Sequence, residues 1–135
     1  MKISLLLILF FLARPMVASD ASVPELDRLR STLQNAMSQY EMNMASSDLA
    51  KYWDHMLKAT EAEILADTLV SDDPKTKRLF QEAQKAWRKF RDSEAAFQAE
   101  TYRGGTMQPL IRSSTYASLT EQRVRELRDF LKPKG

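Results

Sequence analysis

No glycine occurs before the pair Gly104-Gly105, and proline is confined to Pro15, Pro24, Pro74, Pro109 and Pro133. Tight β-hairpins need residues that accept positive φ, glycine above all, so a chain that avoids glycine for so long has few ways to fold a strand back on its neighbour. Stretches rich in Ala, Leu, Glu, Gln, Lys and Arg between sparse breakers favour helices instead. The apolar residues keep helical step: Leu49, Trp53, Met56, Thr60 and Ile64 recur every three or four residues and predict an amphipathic helix over about 46–69. The string "SDDPK" at 71–75 offers an aspartate cap followed by Pro74 at a first helical position, which starts another helix. In that helix Phe80, Ala83, Trp87, Phe90 and Phe97 read as the buried stripe, with Lys85, Arg88, Lys89 and Asp92 largely outside. A shorter helix over 24–42 precedes these two. A last one runs beyond the glycines through Leu110, Ala117, Thr120, Val124, Leu127 and Leu131. The expected architecture is all-α, a small bundle of about four mostly antiparallel helices, with no strand candidate.

Residues 1–19 read as a signal peptide. Lys2 is followed by an apolar run from Ile3 to Leu12 that is too short to cross a bilayer, and small residues at Val17-Ala18-Ser19 place cleavage near Ser19. Arg14-Pro15 interrupts the run, and no cysteine follows it to carry a lipid. The expected product is a periplasmic or secreted domain over 20–135 with no membrane span. Lys2 and Arg14 fall inside the leader, so 18 of the 20 basic residues remain to face the 18 acidic ones. That neutral balance argues against a nucleic acid partner, which needs a basic face. The chain has no cysteine, although small exported domains often carry disulfides, so packing alone must hold it together.

Residues with chemistry are few. His55 is the only histidine, there is no cysteine nucleophile, and no serine sits in a Gly-x-Ser-x-Gly elbow. The carboxylate pairs Glu61/Glu63 and Asp72/Asp73 read as solvated helix faces or a helix cap, so neither an enzyme nor a cofactor is expected. Met37, Met42 and Met44, with His55 further on, offer soft thioether and imidazole donors, which gives an alternative reading as a copper(I) handler. Against it, methionine fills core gaps and the Met42-x-Met44 spacing points to different helical faces, and no metal is assigned. Trp87, Arg91 and Arg123 read as structural core, an aromatic flanked by cations, with Asp92, Glu94 and Asp54 as candidate partners. The turn Tyr102, Arg103, Gly104, Gly105, Thr106 and Met107 has two readings. As punctuation, Gly104 or Gly105 takes positive φ, Thr106 caps the next helix and Pro109 lies in its first turn. As a recognition surface, it puts an aromatic, a guanidinium and a flexible apolar group on one exposed tip.

Three blocks in order and spacing carry a family resemblance: Ala83-Gln84, Trp87 and Phe90-Arg91-Asp92; then Gly104-Gly105-Thr106 and Pro109; then Leu119-Thr120, Arg123 and Leu127. Together they resemble the lysozyme inhibitor LprI family. The upstream "SQYEMNMASSDLAKYWDHML", with Gln39, Met42 and Asn43, is similar to the family's first half. The resemblance implies a small exported helical domain that acts by binding a protein partner, lysozyme first. It further implies a tip that blocks a cleft holding two catalytic carboxylates, with Arg103 facing one of them and Tyr102 packed beside it. The alternative is an envelope-stress or housekeeping module that binds something else, or the copper chaperone above. The chain departs from the family in its cysteines, whose corresponding positions lie near Leu33, Ala45, Ala95 and Thr115 and are lost together. Each absent disulfide implies a loss of about 2–4 kcal/mol unless aromatic packing offsets it.

Overall fold

A computed structural model describes residues 19–133. The leader reading covers residues 1–19, of which 1–18 lie outside the described residues. Those residues form α1 (Ser19–Gln34), α2 (Gln39–Ala66), the single turn α3 (Thr68–Ser71), α4 (Pro74–Glu100) and α5 (Gln108–Leu131), with no strand among them. No helix among the described residues is long and apolar enough to cross a membrane.

The helix expected over 24–42 is in fact two helices, because the chain breaks at 35–38 before α2 begins. The cause is local. Ser38 Oγ accepts from the Glu41 amide at 3.2 Å, and the Glu41 carboxylate accepts from the Met37 and Ser38 amides at 2.8 and 3.0 Å. This reciprocal capping box satisfies donors that a continuous helix would have used internally. The two backbone bonds also hold the Glu41 carboxyl below its ordinary value. At the other end of α2, Asp67 closes the helix and its carboxylate accepts from the Leu69 amide at 2.9 Å to start α3. The start of α4 is the one "SDDPK" predicts: Asp73 accepts from the Lys75 amide at 3.0 Å and from Thr76 Oγ1 at 2.7 Å, with Pro74 in the first turn.

The core is built from Trp53, Met56, Leu57, Ile64 and Val70 on one side and Ala117, Val124 and Leu127 on the other. The stripes expected for α2 and α5 are therefore the buried ones. Helix α5 packs along both α2 and α4, and α1 lies on α2. Side-chain bonds give the directions. Asn43 reaches Thr106 and Asp54 reaches Tyr116, so α2 and α5 run parallel. Asp54 meets Arg91 while Glu61 meets Gln84, so α4 runs antiparallel to α2.

Helix α4 corrects the sequence reading. Its inward residues are Phe80, Gln84, Trp87, Arg91, Ala95 and Ala99, of which Gln84, Arg91, Ala95 and Ala99 are fully buried. Only Phe80 and Trp87 of the expected stripe face inward. Ala83 is exposed, and Phe90 and Phe97 are 53% and 66% exposed. Gln84 and Arg91 tolerate burial because each finds polar partners on neighbouring helices, and a satisfied polar group loses little on leaving water. The small Ala95 and Ala99 bring the backbones close, where a phenylalanine would overpack. Phe90 and Phe97 consequently remain on the exposed side of the helix.

Trp53 packs edge-to-face against Tyr52, with ring centres 5.2 Å apart. Its indole N–H is buried and has no partner among the described residues. An unsatisfied buried donor costs about 1–3 kcal/mol. Trp53→Phe deletes that donor while keeping an aromatic ring in the core, so relief and lost packing oppose each other. The expected change in unfolding free energy by urea titration is within about 1 kcal/mol, well below the 3–5 kcal/mol typical of emptying an aromatic core site.

Candidate functional site

Two polar networks tie the three long helices together where the sequence placed a tryptophan and two arginines. In the first, Asp54 on α2 accepts from Tyr116 Oη at 2.8 Å and pairs with Lys58 at 2.9 Å and with Arg91 at 3.4 Å. Arg91, 4% exposed, also binds Asp92 through Nε at 2.9 Å and lies 3.8 Å from the centre of the Tyr116 ring. In the second, Arg123 on α5 donates to Gln84 Oε1 at 2.9 Å, Gln84 donates to Glu61, and Arg88 pairs with Glu61. Arg123 also reaches Glu126 at 3.0 Å. Trp87 joins the networks: the Arg91 and Arg123 guanidiniums lie 5.2 and 5.9 Å from its ring centre. Of the partners the sequence left open, Arg91 takes Asp54 and Asp92, whereas Glu94 bonds to Gln98. Glu61 and Asp73 are committed to this network and to the α4 cap, which explains both without acid–base chemistry.

Burial alone would raise the Asp54 carboxyl and is the largest single influence on it. The hydrogen bonds from Lys58 and Tyr116 and the charges of Lys58 and Arg91 together outweigh burial and hold the group below its ordinary value of 3.8. Burial, followed by the bond to Asp54, pushes the Tyr116 phenol up to about 12. A phenol that ionises later in the folded than in the unfolded chain adds stability fully present below about pH 10, and that stability is lost as pH rises through about 12. The tyrosinate absorbance of the native protein minus that of Tyr116→Phe is thus expected to titrate with a midpoint near 12. A midpoint near 10 would place the Tyr116 hydroxyl in water.

Between α4 and α5 the chain makes successive tight turns. Gly105 N donates to the Tyr102 carbonyl at 3.0 Å and Gln108 N to the Gly105 carbonyl at 3.2 Å. Gly104 has φ +75°, a left-handed conformation that side chains with a Cβ resist. A Cβ on Gly105 would instead meet the Tyr102 carbonyl at 3.3 Å. Two side chains brace the turn: Gln108 Oε1 accepts from Gly104 N at 3.3 Å, and Asn43 at the start of α2 donates to the Thr106 carbonyl at 3.1 Å. Thr106 does not cap α5. The cap position is Met107, which makes no side-chain cap bond, while Pro109 sits in the first turn as expected. Tyr102 and Met107 are each 41% exposed, and the exposed Arg103 is paired with Glu100 one turn earlier.

The soft-metal donors do not converge. Met42, Met44 and His55 all lie on α2. At 1.5 Å of rise per residue, Met44 and His55 stand roughly 16 Å apart along the axis, far beyond the reach of one ion's ligands. Met42 and Met44 diverge around the helix, and Met37 precedes it, fully exposed. No cluster of His, Cys, Asp or Glu among the described residues could hold a metal.

Sequence reasoning did not anticipate a groove of about 400 Å³ between α2 and α5, lined by Lys51, Asp54, Lys58, Arg112 and Tyr116 among others. Its residues on α2 recur every three or four positions from Ser47 to Lys58, a periodicity hidden because all but Ala50 are polar. A family model described as lysozyme inhibitor LprI matches residues 30–127. No curated protein and no solved structure matches the chain.

Proposed function

We propose, from the premise that this chain belongs to the lysozyme inhibitor LprI family, that it binds a lysozyme-type muramidase and obstructs its cleft with the α4–α5 turn. The observation that carries this reading is the turn itself: Tyr102 and Met107 stand exposed beside the Arg103 guanidinium on a tip braced by Gln108 and Asn43. A preorganised tip loses little conformational freedom on docking, and aromatic and arginine side chains dominate the energetics of such contacts. The Arg103–Glu100 pair is exposed on both sides. Such pairs contribute little and exchange readily, so Arg103 is able to turn to one of the two carboxylates of a muramidase cleft. Membership of an inhibitor family supports binding rather than turnover as the mode of action.

Export through the leader over residues 1–19 would put the domain, residues 20–135, in the periplasm or outside the cell, where muramidases act. The test is a cell-wall turbidity assay with purified lysozyme. Clearing should slow in proportion to added protein and stop slowing near equimolar ratio. If clearing is unaffected at a large molar excess, the muramidase reading is discarded and an envelope binding module with another partner takes its place.

A further inference from the structure

The groove between α2 and α5 has a composition that the muramidase reading does not use. Its lining combines the half-buried Ala50, Tyr116, Ser47 and Ser113 with the exposed Lys51, His55 and Arg112. Asp54 is the one carboxylate in the lining, and it is already engaged by Tyr116, Lys58 and Arg91. Lys58 is engaged by it in turn. Arg112 is exposed and has no hydrogen bond or ion pair to any described residue. Lys51 is held only by Asp48, an exposed pair at 3.2 Å, which is weak and readily exchanged. The groove therefore presents one unpaired guanidinium and one loosely held ammonium beside the half-buried Ala50 and Tyr116.

We propose that this groove is a binding site for a small organic carboxylate with a compact apolar body, the carboxylate held by Arg112 and Lys51 and the body seated on Ala50 and Tyr116. A planar guanidinium matches a carboxylate with two parallel hydrogen bonds. The Ser47 and Ser113 hydroxyls add donors or acceptors for an adjoining amide or hydroxyl. Phosphate fits less well. Phosphate sites draw on free backbone N–H groups at helix starts or in glycine-rich loops, whereas the groove lies along the middle of α2 and past the first turn of α5, where amides are bonded within the helices. A single unpaired guanidinium also suits a monoanion. Acylated amino acids and short peptide C-termini belong to the proposed class. The site stands independently of the muramidase reading.

The test is an amide-resolved NMR titration of the purified protein with N-acetylalanine, its neutral carboxamide and inorganic phosphate, repeated on Arg112→Gln. N-acetylalanine should move the amides of Ala50, Lys51, Arg112 and Ser113 saturably, and the carboxamide should leave them in place. Arg112→Gln should weaken binding at least ten-fold at an unchanged melting temperature, because Arg112 has no partner in the fold to lose. Absence of saturable shifts, equal shifts with the carboxamide, binding of phosphate as tight as that of N-acetylalanine, or an unaltered affinity in Arg112→Gln would each overturn the assignment.

Discussion

Arg91→Ala is expected to destabilise the protein by about 3 kcal/mol, the lower end of the range for removing one partner of a buried charge pair. The guanidinium is buried, while Asp54 retains some solvent and Asp92 is largely exposed. The orphaned carboxylates can therefore recover part of their hydration, which sets the lower end rather than the upper. The aliphatic stem adds a second loss, since it packs with Trp87 and Tyr116. Arg91→Met keeps most of that packing and should cost less than Arg91→Ala, and adding Asp54→Asn to Arg91→Met should recover stability by removing the unpaired charge. The pH dependence has a defined sign. Asp54 ionises more readily in the fold, so its stabilisation is present above about pH 3.8 and is lost as pH falls through the lower folded value. Because Arg91 supplies part of that shift, the gap in stability between the native protein and Arg91→Ala should narrow below pH 3.8. Denaturant titrations at neutral and acid pH check both points, and a constant gap across pH would mean that Asp54 and Arg91 are not coupled.

The same arginine explains why the fold was largely legible in the sequence and the α4 interface was not. On α2 and α5 the buried positions are apolar except for Ser46, Thr60 and Thr120, so periodicity alone located Trp53, Met56, Thr60 and Ile64, and then Ala117, Thr120, Val124 and Leu127. On α4 four of the six inward positions are polar or small. A hydrophobic stripe drawn through Phe80, Trp87, Phe90 and Phe97 rotated the helix toward its aromatics, away from Gln84 and Arg91. What decides such a face is whether buried polar groups find partners, and those partners, Asp54, Tyr116 and Arg123, are distant in sequence. The break before α2 was legible in principle, since Ser38 and Glu41 stand at capping-box spacing, but the helix formers on both sides masked it. The missing cysteines have a related account. Ala45 and Ala95, two of the positions at which the family resemblance implies cysteines, are both buried, so small side chains fill close-packed sites there.

The tip gives the prediction with the largest functional effect. Replacing Tyr102 and Arg103 together with alanine should weaken muramidase inhibition by more than a hundred-fold, since each aromatic or arginine contact at the centre of an interface contributes about 2 kcal/mol or more. Helicity and melting temperature should hardly change. Arg103 is exposed with only Glu100 for company, Tyr102 is partly exposed, and the braces of the turn are the Gly104 amide, Gln108 and Asn43 rather than either side chain. Gly104→Val probes the turn from the other side. A Cβ there has open space around it, so the substitution tests conformation alone, and a left-handed residue that is not glycine costs about 1–2 kcal/mol. If the shape of the tip is what the muramidase reads, this variant should lose inhibition out of proportion to its small loss of stability. Gly105→Val differs in kind, because its Cβ would press on the Tyr102 carbonyl and displace the aromatic directly. Inhibition that survives both Tyr102→Ala/Arg103→Ala and Gly104→Val would move the docking surface off the turn, and the exposed face of α4 with Phe90 and Phe97 would be the next to substitute.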